Sequence, residues 1–260
     1  FKNKFPKDNE PDMVISCGLE DLEKTETFPA PFVSFSFDLE TSISTNRILC
    51  AAAVVDRDGD RSEYEFKGPE RDIMEGLTRL VRDEDPDFIT GYNIDNFDLP
   101  RMQERAEVIC PRPKIDRLPL FGWGRVPASE GEGKRVFPQR QQNRVWRIVG
   151  RIPMDAWWQA RQTLRPQRET LRYVSQLLWP DDQSKRKLDV DASRMDEEWA
   201  ERPDVVMEYC MMDTHLPLDI LDRLKSIARK EALASVSLTP VEMASNGTTS
   251  QWIDSLVIRI

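Results

Sequence analysis

Three strand-like runs follow one another between Phe32 and Lys67, joined by segments too short to carry a crossover, so the chain must begin its sheet as an antiparallel meander. The runs are Phe32 to Asp38, Arg47 to Asp56 and Ser62 to Lys67, the last two meeting at the turn Asp58-Gly59-Asp60. Pro69 then opens a helix whose apolar positions Ile73, Leu77, Leu80 and Val81 recur at helical spacing, and this helix ends near Asp85-Pro86. Asp87 to Tyr92 reads as a fourth strand, which a crossover helix should make parallel to a neighbour. The expected class is α/β, with a mixed sheet flanked by helices.

The first strand closes unusually, with Asp38 and Glu40 separated only by Leu39. Alternation along a strand puts both carboxylates on one side. Side by side they repel unless a cation lies between them, and hard divalent ions prefer carboxylate oxygens. A core strand simply running out into a polar turn has the same wording, and an isolated Asp-x-Glu does not decide between the two.

Beyond the fourth strand, Asn93 to Pro100 crowds hydrogen-bonding groups at a strand-to-helix junction, a usual place for catalytic groups in α/β sheets. Asp98 stands just ahead of Pro100, so it reads equally as a helix N-cap. Residues 111 to 149 are rich in Pro, Arg, Gly and Gln; alternation around Leu118 to Val126 and Val145 to Ile152 suggests a β-hairpin excursion. Its arginines Arg135, Arg140, Arg144 and Arg147 suit a solvated loop better than a nucleic-acid contact. Arg161, Arg165, Arg168 and Arg172 are close in sequence, but Pro166 interrupts any continuous basic helix face. Lys185-Arg186-Lys187 fits either a phosphate contact or an exposed turn. A long helical stretch from Pro203 to about Ala234 contains Tyr209 and Asp213, four apart and therefore on one face, and an exit helix is expected around Trp252 to Val257.

Composition narrows the class. The chain has 260 residues, enough for one large domain, and no apolar run approaches the roughly 20 residues of a membrane span. Cys17, Cys50, Cys110 and Cys210 are scattered, with His215 the only histidine, which argues against a zinc site or disulfide framework and for thiols in an intracellular protein. A net charge of -9 works against broad duplex binding, which needs many neutralised phosphates. A metal-mediated grip on a few phosphates is compatible with it.

Three segments, Phe37 to Thr41, Gly91 to Pro100 and Tyr209 to Asp213, together resemble the three exonuclease motifs of family B DNA polymerases, in order and at sensible separations. The wording is similar to the polymerase delta and archaeal branch. The resemblance implies a ribonuclease-H-like fold with a mixed five-stranded sheet, and a proofreading 3′-to-5′ exonuclease of the DEDD superfamily. Its four acids would be Asp38, Glu40, Asp98 and Asp213, holding two divalent ions, Mg2+ or Mn2+. Asp98 rather than Asp95 matches the motif because it directly follows Phe97. Tyr209 places the chain in the tyrosine subgroup; with an ordinary pKa of about 10 it would orient the attacking water rather than deprotonate it. Asp38 would bridge the ions, Glu40 and Asp213 complete the nucleophile side, and Asp98 hold the second ion through water. Leu39, Asn93 and Phe97 would contact a frayed 3′ end by wedging, hydrogen bonding and stacking.

The corresponding domain division is a leader at 1–31 from a missing N-terminal domain, the exonuclease domain at 32–235 with its excursion at 111–149, and an exit segment at 236–260 toward an absent palm domain. The chain carries no Asp-Thr-Asp of a polymerase palm and is not expected to synthesise DNA itself. The expected partners are the single-stranded or frayed 3′ end of DNA and the remaining polymerase domains or subunits, with the chain monomeric and no membrane involved. The expected location is the cytoplasm of an archaeon, or the nucleus in a eukaryote. Two other functions fit the same wording: a non-catalytic docking domain of a polymerase, and an RNA-trimming exonuclease of the superfamily.

Overall fold

The computed structural model describes residues 16–21, 30–110, 120, 122–125, 138–140, 146–185 and 190–258. The meander is present as β1 (Val33–Thr41), β2 (Ile48–Arg57) and β3 (Asp60–Lys67). Helix α1 (Glu70–Glu84) crosses to β4 (Phe88–Thr90), and α2 (Asp98–Ile109) follows. Two short strands, β5 (Gln139–Arg140) and β6 (Trp146–Arg147), precede β7 (Ile152–Pro153). The main sheet has the order β3-β2-β1-β4-β7. Both β2 and β3 run antiparallel to their neighbours, whereas β4 is parallel to β1 and β7 parallel to β4, giving the expected mixed five-stranded sheet.

β2, between β3 and β1, is buried on both faces, which its nearly unbroken apolar run permits. Edge β3 instead alternates, with Tyr64 and Phe66 packed inward and Glu63, Glu65 and Lys67 outward, a charged border that discourages further strand pairing. On β1 the alternation separates two cores. Phe35, Phe37 and Leu39 pack with α1, α2 and Trp123, while the opposite face meets the helices that follow.

Those helices are α3 (Ala156–Leu164), α4 (Leu171–Leu178), α5 (Met195–Glu201), α6 (Pro203–Arg223), α7 (Ser226–Ser237), α8 (Val241–Asn246) and α9 (Thr249–Val257). The α6 residues Val206, Met207 and Cys210 pack on Cys50 and Ala52 of β2, covering the second face of the sheet. The stretch expected to run unbroken to Ala234 is divided because Lys225 takes a left-handed conformation, φ 50°, which an α-helix cannot continue through. The single exit helix expected near the end is likewise two helices, α8 and α9, divided by Gly247 and Thr248.

The excursion is only partly as expected. β5 and β6 form an antiparallel pair that joins Gln139–Arg140 to Trp146–Arg147, and the two expected runs are linked by the Arg125 N–H, which donates to the Val149 carbonyl at 2.8 Å. Trp146 belongs to the core and donates its indole N–H to the Asp95 carbonyl at 2.8 Å, which anchors this part of the segment, while Arg140 and Arg147 are exposed, as expected of a solvated loop. Arg135 and Arg144 lie outside the described residues, as do residues 1–15 and 22–29 of the leader and Arg186-Lys187. Lys185 is ion-paired with Asp219 and lies 5.8 Å from the Trp179 ring centre, the environment of a structural tie.

Candidate active site

The site begins where β1 and β4 run parallel. Gly91 ends β4 because there is no room for a side chain: a Cβ would lie 2.6 Å from the Phe37 carbonyl oxygen and 2.4 Å from a methyl of Ile94. The chain then turns through Asn93, which adopts φ 67°, a conformation Asn tolerates better than most residues. Asp155, at the start of α3, fixes this turn. Its carboxylate accepts from the backbone N–H of Asn93 at 2.8 Å and of Asp95 at 3.2 Å while capping α3 through the N–H of Trp157 at 2.9 Å. Burial pushes the Asp155 carboxyl up to about 6 despite these donors.

The turn delivers Asp98 into the first turn of α2, one residue inside the N-cap position that sequence spacing allowed for it. Asp98 is 2% exposed, and its Oδ1 has no hydrogen-bond partner among the described residues. Burial first, then the charges of Asp38 and Asp155, hold its carboxyl well above the ordinary range, against the pull of its own N–H and that of Leu39.

Asp213 arrives from α6. Pro217 lies within that helix and supplies no N–H to the helical ladder. One residue on from Asp213, the Thr214 carbonyl accepts from Ser36 Oγ on β1 at 2.7 Å, a buried bond that pins this part of α6 to the strand carrying Asp38.

Asp38, Asp98 and Asp213 thus converge from a strand and two helices on one open cleft of about 450 Å³. Tyr92, Asn93 and Phe97 line one part of it, and Trp157, Glu169 and Leu171 another. Glu40, 9% exposed, lies on the Asp38 face of β1; single ligand atoms of Asp38, Glu40 and Cys210 fall within 4.8 Å of one another. Cys210 is the soft member of that group. Burial first, then Cys50 and the nearby carboxylates, push its thiol well up, and it donates to the Asp38 carbonyl at 3.5 Å, so it stays a neutral thiol. Crowded buried carboxylates with an orphaned Asp98 oxygen are the donor set a hard divalent cation takes.

The remaining sequence candidates separate. Phe97, 42% exposed, presents its ring at the cleft with Arg101 stacked 5.7 Å from its centre. Asn93 also lines the cleft. Tyr209, 9% exposed, sits one turn before Asp213 on α6 but is not part of the cleft lining. Leu39 requires correction: it is 3% exposed in the core with Phe35 and Phe37, because alternation points it away from Asp38. Its side chain is packing, not a wedge; only its N–H reaches the site, toward Asp98. His215 bonds Glu63 on β3 at 2.8 Å, away from the acids. Sequence reasoning gave no role to Asp155, Tyr92 or Glu169. Asp155 had a legible signal, an acid at a helix start, but its bonds to Asn93 and Asp95 span about 60 residues and leave no local pattern.

Fold and site together define an α/β domain of the ribonuclease-H-like kind whose acids gather beside the central strand. Residues 64–174 match the family model described as DNA polymerase family B, exonuclease domain. The chain is 30% identical over 254 residues to the DNA polymerase delta catalytic subunit of Caenorhabditis elegans, covering 93% of this chain and 21% of that protein. It is 32% identical over 180 residues to the corresponding subunit of Arabidopsis thaliana, covering 66% of this chain and 16% of the relative. In fold it resembles the family B DNA polymerase of the hyperthermophilic archaeon Pyrobaculum calidifontis, with a TM-score of 0.68 over 90% of this chain and 30% of the other, at 24% identity. The chain belongs to the family B DNA polymerases and is an exonuclease domain of that family. It spans about a fifth of the length of the curated relatives it matches.

Proposed function

We propose that this domain hydrolyses the terminal phosphodiester at the 3′ end of single-stranded or frayed DNA, as the editing part of a longer polymerase. The observation that carries this reading is the convergence of Asp38, Asp98 and Asp213 on one cleft beside Glu40. The ligands for two Mg2+ or Mn2+ ions would be Asp38, Glu40, Asp98 and Asp213. When bound, such ions lower the pKa of water and neutralise charge on the phosphoryl oxygens.

The chain's own residues supply position. Asp155 fixes the turn that presents Asn93 and Phe97, so an amide and an exposed aromatic face meet the terminal nucleotide. Phe97 offers a stacking surface that every base can use, which suits removal without sequence preference. Tyr92 donates its hydroxyl to the Glu169 carbonyl at 2.7 Å and braces the opposite wall. Tyr209 shares a helix face with Asp213, and its role would be to orient the attacking water. The partners are a DNA 3′ end and the remaining polymerase domains; the chain acts as a monomer, inside the cell. Cytoplasm in an archaeon or nucleus in a eukaryote follows from that role. The division into a leader at 1–31, a catalytic unit at 32–235 and an exit segment at 236–260 belongs to the same proposal.

The test is digestion of 5′-labelled single-stranded DNA and RNA of one sequence, with Mg2+, Mn2+ or EDTA. Metal-dependent laddering of DNA from the 3′ end is expected. Preference for RNA would overturn the substrate assignment, and laddering that persists in EDTA would overturn the metal assignment.

A further inference from the structure

The end of α3, the loop through Glu169, α7 and α9 enclose a second groove of about 630 Å³ that the acid cleft does not account for. Arg161, Arg165, Arg229 and Lys230 line it, against Glu169 as the one acid among its lining residues. Trp158 and Trp252 line it too. In a chain of net charge -9, this concentrates four cations around one carboxylate. Pro166 does end α3, yet Arg165 in its left-handed conformation still turns into the same groove as Arg161.

Most of this charge is not neutralised. Arg161 pairs with Glu169 at 3.3 Å. Arg229 donates to Thr163 Oγ1 at 3.4 Å and Lys230 to Gln162 Oε1 at 3.2 Å, both neutral acceptors. Among the described residues, Arg165, Arg229 and Lys230 form no ion pair with a carboxylate. Burial, and then the neighbouring Arg229, push the Lys230 ammonium down to about 8, the mark of a cation held without a counter-charge. Aromatic faces accompany the cations: Arg161 lies 5.3 Å and 5.9 Å from the ring centres of Trp157 and Trp158, and Lys230 lies 5.2 Å from that of Trp252. The groove also joins the acid cleft. Glu169 lines both, and Trp157, next to Trp158, lines the cleft.

We propose that this groove holds the single strand behind the scissile nucleotide, its phosphates against Arg165, Arg229 and Lys230 and its bases against Trp158 and Trp252. Cations interleaved with aromatic rings are how single strands are held without reading sequence. The assignment rests on reading the acid cleft as the place where the 3′ end is cut. Because Glu169 lines both cleft and groove, a strand with its 3′ end in the cleft can continue past it, and this groove supplies phosphate donors along that path.

The experiment measures binding apart from cleavage. Fluorescence anisotropy in EDTA gives Kd and its salt dependence for DNA oligonucleotides of about 4 and about 16 nucleotides. The 260-residue chain is compared with R229Q/K230Q, R229E/K230E and W252A, with circular dichroism confirming that each is folded. For the longer strand, R229Q/K230Q should weaken binding roughly tenfold or more, and charge reversal further. The slope of log K against log salt should shrink by about 0.7 for each phosphate that is no longer neutralised. W252A should weaken binding without changing that slope. The short oligonucleotide, which the acid cleft accommodates, should lose far less affinity than the longer strand in every variant. Unchanged Kd and slope for the longer strand in folded charge variants would overturn the groove assignment. Wild-type binding that depends on these residues, without metal-dependent hydrolysis, would overturn the exonuclease reading and leave the groove standing as a strand-binding site.

Discussion

Replacing Arg151 tests whether the sheet edge next to the site is held by fork geometry or by charge. Arg151 is almost fully buried; its Nε donates to the Trp123 carbonyl at 2.7 Å and its Nη1 to the Pro86 carbonyl at 2.6 Å. The same Nη1 lies 2.8 Å from Asp85 Oδ1. Asp85 is well exposed and also takes Arg125 Nε at 2.8 Å, so it keeps a partner when Arg151 is replaced. The two buried carbonyls are what Arg151→Met strands, at about 1–3 kcal/mol each. Relief of the buried guanidinium, whose pKa burial already lowers, offsets part of this total. The net expectation is a loss of about 2–4 kcal/mol, a fall in Tm of roughly 4–16 °C for a domain of this size. Arg151→Lys keeps a charge beside Asp85 but reaches at most one carbonyl with good geometry, and should lie between. Urea unfolding with both variants decides it. Stability within about 0.5 kcal/mol of wild type for Arg151→Met, or full rescue by Lys, would refute the fork argument.

Other substitutions probe how the acids are brought together. Gly91→Ala puts a methyl against the Phe37 carbonyl on β1, so β1 and β4 must part beside Asp38; single-turnover hydrolysis should fall far more than Tm does. Ser36→Ala removes the bond to the Thr214 carbonyl and should cost about 1–2 kcal/mol in urea unfolding, with a further loss of hydrolysis because α6 is no longer pinned at Asp213. Phe97→Ala removes an exposed ring, so Tm should hold while KM for single-stranded DNA rises, by an amount corresponding to about 1–3 kcal/mol of stacking.

The sheet was readable because its signals are local. The short turns of the meander, the helical spacing from Ile73 to Val81 and the alternation on β1 each specify their element within a few residues. Resemblance to three motifs then connected Asp38, Asp98 and Asp213 across 175 residues of chain, which no local pattern does, and the structure brings these three to one cleft. Leu39 shows the opposite risk, since a motif position suggested contact with substrate while strand alternation had already assigned its side chain to the core. The division of the long helical stretch at Lys225 was hidden because Lys has no marked preference for a left-handed turn. Asp155 and the basic groove were hidden for a different reason. Asp155 acts through backbone N–H groups, which carry no sequence identity. Arg161 and Lys230 share a groove only after α3 and α7 pack, so Pro166 looked like an interruption where the fold uses it as a corner.

The account stands on the acids acting together on a 3′ end. The most direct measurement is the single-turnover rate of 3′-terminal nucleotide release with saturating Mg2+, comparing wild type with Asp38→Asn and Asp213→Asn, each neutral and of unchanged size. Each should fall roughly 100-fold or more, because a ligand charge supporting the metal contributes several kcal/mol to the transition state and each 1.36 kcal/mol is tenfold. Release at the wild-type rate by either folded variant would contradict it.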